Sequence, residues 1–332
     1  MRRLTVVPVR VVRRVLVTGL AVALGGSLAA CSSGVGADYA AGATRPAAPA
    51  ATATLPGGGA TASGRPAPDI AVAGAPGGVK AKAGVLEDAA TGQVLWSRDL
   101  NTERPMASIT KVMTAYLVIS AGDVGRKITI PKAVLNYVAT YGAASDDLVP
   151  GEVLTVQELL YGLLLQSGAD AAYTLATTYG PGMGAFLAKM NAEAVKLGML
   201  HTHFASPDGL PYPTETSTYS TPADLVLLGQ AAMKLPVFRS IVDQRYYSLP
   251  KGDGHRAHWW GSDNALIGSY PGAVGIKTGF TDVALHCLLF DAIRNGRTLI
   301  GVVMGSPATG PDAGAQDATK ILNWGFSLKR AS

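Results

Sequence analysis

The sequence predicts an α/β (α+β) fold in which helices flank an antiparallel sheet and a helical lobe is inserted in the middle. Segments with strand character lie near residues 83–96 and again over residues 274–304. Between them, apolar residues recur at helical spacing in several segments. We therefore expect one sheet built from both chain ends, with a functional site in the cleft between the sheet and the helical lobe.

The strands are predicted from alternation and from short apolar runs. Residues 83–88 and 93–96 alternate at period two around the turn Ala90-Thr91-Gly92. Short apolar runs in the last third predict consecutive antiparallel strands at 274–278, 284–290 and 298–304. Two more short strands are expected at 128–130 and 246–249.

The helices are predicted from periodicity and capping. Thr155 and Glu158 form a capping-box pattern at the start of one of them. The predicted helices cover 108–120, 155–165, 169–179, 183–197, 222–233 and 312–326.

Residues 1–30 have the pattern of an export signal. Five arginines without an acid precede an apolar stretch that is too short to predict a membrane span, and a small-residue cleavage site follows. The next residue is Cys31, and Leu-Ala-Ala-Cys resembles a bacterial lipobox. That resemblance implies cleavage before Cys31, a diacylglycerol on its sulfur, and a location at the outer face of the cytoplasmic membrane. An ordinary signal peptide with an incidental cysteine is the alternative.

Residues 31–78 are rich in Ala, Pro, Gly and Thr, a composition that cannot form a packed core and predicts a disordered tether. The formal net charge is +5, and the first 30 residues supply five arginines, which leaves a net charge of 0 without them. The basic character therefore belongs to the export signal, and we expect no nucleic-acid partner.

Ser108 and Lys111 form a Ser-x-x-Lys pattern at the start of a predicted helix. Residues three apart lie on one helical face, about 5–6 Å apart at Cβ. A serine hydroxyl needs a base to become nucleophilic, and a lysine amine serves if its pKa is lowered. A surface helix with an N-cap serine and a solvated lysine has the same pattern, so Ser-x-x-Lys alone is weak evidence for a catalytic site.

Lys277-Thr278-Gly279 is a second element that accompanies Ser-x-x-Lys in penicillin-binding proteins and class A β-lactamases. Lys277 would lower the pKa of Lys111 by like-charge repulsion and would attract a substrate carboxylate. Gly279 would let the strand approach a ligand closely.

These elements, with 166–172, 204–210 and 268–280 around them, resemble the low-molecular-mass penicillin-binding proteins of the serine D-alanyl-D-alanine carboxypeptidase family. The resemblance implies a β-lactamase/DD-peptidase fold for a catalytic domain at 79–332. It implies hydrolysis of peptidoglycan stem peptides ending in D-Ala-D-Ala, inhibition by β-lactam antibiotics, and no cofactor.

The resemblance also implies residue roles. Ser108 would be the acylated nucleophile, Lys111 its base, and Ser167 a proton relay. Lys277, Thr278 and Gly279 would bind substrate, and backbone N–H groups of Ser108 and Phe280 would form the oxyanion hole.

The family usually has a third motif, Ser-x-Asn, between Ser-x-x-Lys and Lys-Thr-Gly. We assign this middle element to Ser167-Gly168-Ala169, between two predicted helices. Ser262-Asp263-Asn264 also matches the Ser-x-Asn motif, but it lies just before Lys277 in the chain, and we predict a turn there. Ala169 replaces the usual asparagine, so an amide that would bind the substrate is missing.

Three alternatives stay open at this point: a DD-transpeptidase, a β-lactamase on the same fold, and an inactive peptidoglycan-binding lipoprotein. A class A β-lactamase needs a glutamate well after the middle element, and neither Glu193 nor Glu215 has that sequence context. The five histidines lack a ligand pattern, so no metal is expected.

Overall fold

The structure is a computed structural model that describes residues 75–307, 310 and 312–329. The predicted export signal, Cys31 and the predicted tether up to residue 74 lie outside the described residues.

The strands are β1 Ala83–Asp88, β2 Gln93–Arg98, β3 Arg104–Pro105, β4 Lys127–Thr129, β5 Val153–Thr155, β6 Tyr219–Ser220, β7 Tyr246–Leu249, β8 His258–Gly261, β9 Ala273–Thr281, β10 Leu285–Arg294 and β11 Arg297–Ser306. The helices are α1 Lys111–Ser120, α2 Ala133–Tyr141, α3 Val156–Tyr161, α4 Ala169–Tyr179, α5 Met183–Lys196, α6 Pro222–Met233, α7 Pro236–Val242 and α8 Ala313–Ser327. A 3₁₀ turn at Ala107–Thr110 precedes α1, and a π-helical turn at Gly162–Gln166 follows α3.

The main sheet has the strand order β2-β1-β11-β10-β9. Its neighbours all pair antiparallel, and β1 lies directly beside β11. The prediction of one antiparallel sheet made from both ends of the folded region is therefore confirmed. β9, which carries Lys277, is an edge strand, so one side of it is free to face a ligand.

Period-two alternation divides the apolar side chains of the sheet between two cores. Val85 and Leu289 belong to the core that the sheet shares with the helical lobe. Their chain neighbours Leu86 and Leu288 belong to the core beneath α8. Because successive strand residues point to opposite faces, helices cover the sheet on both sides.

The helical lobe holds several elements that the sequence pattern did not predict, namely α2, α7 and β8. In α2, Val134 is the buried residue, and Leu135 is 57% exposed. Val134, Tyr137, Val138 and Tyr141 nevertheless recur at helical spacing while the other five positions are exposed, so α2 has a periodic signal that the prediction missed. α7 begins at Pro236, directly after α6, and the sequence gives little to separate two helices that follow so closely.

No single helix within the described residues has the length and apolar character needed to cross a membrane. The bent pair α6 and α7 meets those criteria only in combination, with an angle of 106° between its halves.

Candidate active site

The Ser108 side chain stands on a tight turn at the start of α1. Ala107, the preceding residue, has a left-handed φ of 48°, and the chain then makes the 3₁₀ turn before Lys111 begins the helix. Backbone strain of this kind is common where a side chain must be held out of a regular element. The turn places Ser108 Oγ 3.0 Å from Lys111 Nζ.

Lys111 is a buried amine that hydrogen-bonds to Ser108 and Asp208. It is 2% exposed, and its Nζ donates a hydrogen bond to the backbone carbonyl of Asp208 at 3.1 Å. Burial lowers the pKa of Lys111, while the charge of Asp208 acts in the opposite direction. The fold thus moves the lysine toward the neutral amine that a general base requires.

The loop around Asp208 fixes Lys111 from outside its own helix. Tyr137 donates a hydrogen bond to Asp208 Oδ2 at 2.9 Å. Gly209 has a φ of 83°, and a Cβ there would lie 1.9 Å from the carbonyl oxygen of Ala107. Only glycine permits this contact with the nucleophile turn.

The edge strand β9 carries the other predicted residues past the nucleophile. A Cβ added at Gly279 would lie 2.8 Å from Met106 O and 3.0 Å from Ser108 N, so strand and turn are in direct backbone contact. The next residue, Phe280, follows in the same strand. The contact therefore places the backbone N–H groups of Ser108 and Phe280 near each other.

Lys277 is a second buried lysine. It is 1% exposed, and its Nζ donates to Thr278 O at 3.1 Å and to Thr278 Oγ1 at 3.3 Å. Burial and then the charge of Lys111 lower the pKa of Lys277 to about 7. The sequence predicted that Lys277 lowers the pKa of Lys111, but the like-charge effect is seen at Lys277, and burial is what lowers the pKa of Lys111.

Ser167 lies between the π-helical turn and α4, with a left-handed φ of 71°. It is 7% exposed, and α4 begins two residues later at Ala169. The Ala169 N–H donates to Ala144 O at 2.8 Å, and the carboxylate of Asp170 accepts from Ser145 Oγ at 2.7 Å. These bonds hold the loop before β5 against the serine.

Ser108 lies between two cavities of about 530 and 290 Å³. Ser167, Thr278 and Gly279 line the larger cavity, and Lys111 and Ala169 line the smaller one. The predicted residues 108, 111, 167 and 278–280 therefore line these two cavities, Lys277 is buried and lines neither, and Cys31 lies outside the described residues. Their catalytic roles stay predictions.

A family model described as D-alanyl-D-alanine carboxypeptidase, peptidase S11, matches residues 70–308. The chain belongs to the D-alanyl-D-alanine carboxypeptidase family. The match spans most of the chain and includes every predicted site residue except Cys31.

Individual relatives agree with the family. The chain is 39% identical over 262 residues to the D-alanyl-D-alanine carboxypeptidase of Streptomyces sp. strain K15, which covers 75% of this chain and 88% of that protein. It is 36% identical over 249 residues to the carboxypeptidase DacB2 of Mycobacterium tuberculosis, covering 75% and 83%. The crystal structure of the Streptomyces K15 DD-transpeptidase is similar with a TM-score of 0.71 and 40% identity, covering 75% and 98%.

This carboxypeptidase-family chain has a buried acid beneath its middle element that sequence reasoning missed. Asp146 is 1% exposed, and neither carboxyl oxygen has a hydrogen-bond partner among the described residues. Its Oδ2 lies where Cβ atoms at Gly162 and Gly168 would fall, 2.2 and 1.9 Å away. Burial and then Asp170 raise the pKa of Asp146 well above its usual value, which favours the uncharged carboxyl.

Asp263 was also missed, because the sequence assigns its triplet to a turn without a role. Residues 262–264 do lie outside every helix and strand, and Asp263 N donates to Leu165 O at 3.0 Å. The Asp263 side chain nevertheless lines the larger cavity with Ser108 and Thr278. Burial raises the pKa of Asp263, and the charges of Lys277 and Lys111 oppose that rise.

The described part of the chain has neither a candidate metal site nor a reactive thiol. Among residues 75–307, 310 and 312–329, no group of three or more His, Cys, Asp or Glu residues could hold a metal ion. Cys287 is buried, and burial raises the pKa of its thiol to about 11. That environment disfavours the reactive thiolate.

Proposed function

We propose that this protein is a serine D-alanyl-D-alanine carboxypeptidase that acts on peptidoglycan stem peptides through an acyl-enzyme on Ser108. The observation that carries the proposal is the hydrogen bond between Ser108 Oγ and the buried Lys111 Nζ, 3.0 Å apart, at the meeting point of two cavities. A nucleophile within hydrogen-bond reach of a base with a lowered pKa is the arrangement that acyl transfer requires.

Acylation begins when Lys111 takes the proton of Ser108 and Oγ attacks the carbonyl carbon of the penultimate D-alanine. The peptide C–N bond then breaks, and the departing amine receives a proton through Ser167, so the terminal D-alanine leaves as a free amino acid. Water next adds to the ester, releases the shortened peptide as a carboxylic acid, and returns the proton to Ser108. Each proton transfer uses a group that lines the cleft.

The cleft also contains the charges and dipoles that this reaction needs. Lys277 and Thr278 would bind the terminal carboxylate in the larger cavity, which Thr278 lines. The N–H groups of Ser108 and Phe280 would stabilise the tetrahedral oxyanion, a contribution of about 3–4 kcal/mol per donor. The smaller cavity, lined by Tyr141 and Leu210, is left for the rest of the stem peptide.

A pH profile should reveal the two lysines. Catalysis needs a neutral Lys111 and a charged Lys277, so the active form of the pair carries one proton. Both lysines have lowered pKa values, that of Lys277 about 7, so kcat/KM should rise as the first proton is lost and fall as the second is lost. The measurement is the rate of D-alanine release from a pentapeptide across pH.

Lys277→Arg is the matched variant for that profile, because a guanidinium keeps its proton throughout the range. It should remove the alkaline fall and leave the acid limb. An unchanged alkaline limb in Lys277→Arg would show that Lys277 does not bind the carboxylate as a cation.

The primary test is intact-mass spectrometry of the protein with benzylpenicillin, followed by an assay of D-alanine release from a pentapeptide. A persistent adduct together with D-alanine release supports the carboxypeptidase. A transient adduct with rapid loss of the drug would favour the β-lactamase instead. No adduct and no release would favour an inactive peptidoglycan-binding protein.

Transfer of the acyl group to an amine is a second candidate that two observations favour. One similar structure is that of a DD-transpeptidase. In addition, Asp263 and Asp312 line the cavity with Thr278, and their carboxylates would attract an ammonium group. An acceptor amine enters the space that the terminal D-alanine has left, so these acids favour transfer over hydrolysis.

Asp263→Asn should therefore lower the ratio of transfer to hydrolysis several-fold when a diamino acid acceptor is added. The amide keeps the size of the side chain and removes its charge. The measurement is product partition by chromatography at a fixed acceptor concentration. An unchanged ratio, with normal acylation by benzylpenicillin, would rule out this electrostatic role.

We also propose that Cys31 carries a diacylglycerol that anchors the protein at the outer face of the cytoplasmic membrane, with 32–78 as the tether. The support is the Leu-Ala-Ala-Cys motif at the end of the predicted export signal and the glycine- and proline-rich segment that follows. The mass of the mature protein from a membrane fraction tests it, since an unmodified chain would contradict the anchor.

A further inference from the structure

The small sheet formed by β7 and β8 exposes aromatic side chains on its outer face. Tyr246 and Trp259 are 58% and 63% exposed, and their rings stack with centroids 6.1 Å apart at 20°. On the opposite face, Tyr247 stacks on Tyr161 with centroids 3.8 Å apart and packs beside the buried Trp260. The inner aromatic residues anchor the sheet, so the outer pair is held on a rigid support.

Gly261 determines how the indole of Trp259 lies. A Cβ at Gly261 would be 2.8 Å from the far edge of that indole. The indole therefore reaches along the sheet to the glycine, and a side chain at position 261 would displace it. We call the outward pair of Tyr246 and Trp259 the aromatic platform.

A groove of about 380 Å³ lies beside the aromatic platform. The groove is lined mainly by polar groups, among them Asp147, Gln166 and Arg256, and Trp259 is one of its lining residues. Polar groups that converge beside an exposed aromatic pair are typical of a small-molecule or oligomer site that binds hydroxyl and amide groups.

The groove and the catalytic cleft are lined by residues that are neighbours in the chain. Gln166, which lines the groove, is the residue immediately before Ser167, which lines the larger catalytic cavity. On the other side, β8 ends at Gly261, and Asp263 of the same cavity follows two residues later. The groove and the cleft therefore lie close enough for one polymer to contact both.

We propose that the aromatic platform and its groove bind the saccharide chain of the peptidoglycan substrate. This inference rests on the proposed function, because that function supplies a peptide attached to a glycan. Sugar rings present C–H faces that stack on aromatic rings, and their hydroxyl and N-acetyl groups match Gln166, Arg256 and Asp147. A lipid surface fits less well, since it would desolvate the charges of Arg256 and Asp147.

The test compares two substrates with the full-length chain. One is a free pentapeptide, and the other is the same pentapeptide attached to N-acetylglucosaminyl-N-acetylmuramic acid. The measured quantity is the ratio of kcat/KM for the two, from D-alanine release. In Trp259→Ala we expect the preference for the glycan-bearing substrate to fall by about fivefold, the effect of losing one aromatic stacking contact.

Trp259→Phe retains an aromatic face and should keep most of the preference. Leu200→Ala is the matched surface control, because Leu200 is 72% exposed and lines none of the cavities described above. It should leave the ratio unchanged. Peptide-free glycan strands should also quench or shift the tryptophan fluorescence of the wild type, and Trp259→Ala should weaken that response.

Several outcomes would overturn the inference. An equal loss on both substrates in Trp259→Ala would mean that the aromatic pair only stabilises the β7–β8 sheet. Binding of phospholipid vesicles that depends on Trp259, without any glycan effect, would make the surface a membrane contact. If the wild type releases no D-alanine from either substrate, the proposed function fails, and the fluorescence titration still decides whether the platform binds glycan.

Discussion

Ser108→Ala should form no adduct with benzylpenicillin and should release D-alanine at least about 10⁴-fold more slowly than the wild type, because the nucleophile is gone and only binding and oxyanion contacts remain. The substitution removes one oxygen from a turn whose backbone is fixed by β9 and by the loop at Gly209. We therefore expect the fold to survive. Intact-mass spectrometry and a pentapeptide assay measure the two effects.

Ser262→Ala is the matched control for that experiment. Ser262 begins the Ser-Asp-Asn letters that the sequence analysis assigned to a turn, and it lies close in the chain to the cleft-lining Asp263. It should retain both the adduct and the release of D-alanine. If the adduct persisted in Ser108→Ala and disappeared in Ser262→Ala, the assignment of the nucleophile would be wrong.

The framework of this fold could be predicted because its signals are local. α4 and α6 have the bounds that periodicity predicts, Ala169–Tyr179 and Pro222–Met233. The capping box at Thr155 is present with both of its hydrogen bonds. Short apolar runs in the last third predicted β9, β10 and β11, each of which extends a few residues beyond the predicted run. Pairing continues as long as the neighbouring strand continues, which a local pattern does not show.

The surroundings of the site could not be predicted in the same way, because they depend on long-range contacts. Asp208 is 97 residues from Lys111 in the chain, and it binds the lysine through a backbone carbonyl that carries no sequence signature. Asp146 and Asp263 lie on irregular segments, where no periodicity assigns an orientation. The glycines at 162 and 168 could have suggested a close neighbour, but they could not identify it as a carboxyl group.

The structure shows how the middle element is held without the asparagine that Ala169 replaces. The Ala169 backbone still bonds to Ala144, so the middle element keeps its shape without an amide side chain. The pKa of the buried Lys277 depends on burial and on the charge of Lys111, which lower it. The charge of Asp263, which lines the larger cavity, acts in the opposite direction. The loss of the amide therefore affects substrate contacts more than the protonation of the lysines.

Lys111→Ala should slow acylation by about 10²–10⁴-fold, since a positioned general base contributes that much and no other described side chain bonds to Ser108 Oγ. Lys111→Met fills the same volume without an amine, so it separates loss of the base from the cavity that alanine would leave. Both variants should acylate equally slowly if the base is what matters. The measurement is the second-order rate of adduct formation with benzylpenicillin.

The alanine variant allows a stronger test than a loss of rate. A small primary amine added to the buffer could occupy the space of the missing side chain and accept the proton of Ser108, so acylation should recover in proportion to the free-base concentration. Lys111→Met has no such space and should show no recovery. Near-normal acylation in Lys111→Met would assign the base to another group, and Lys277 would then be the first to substitute, since burial beside Lys111 already lowers its pKa to about 7.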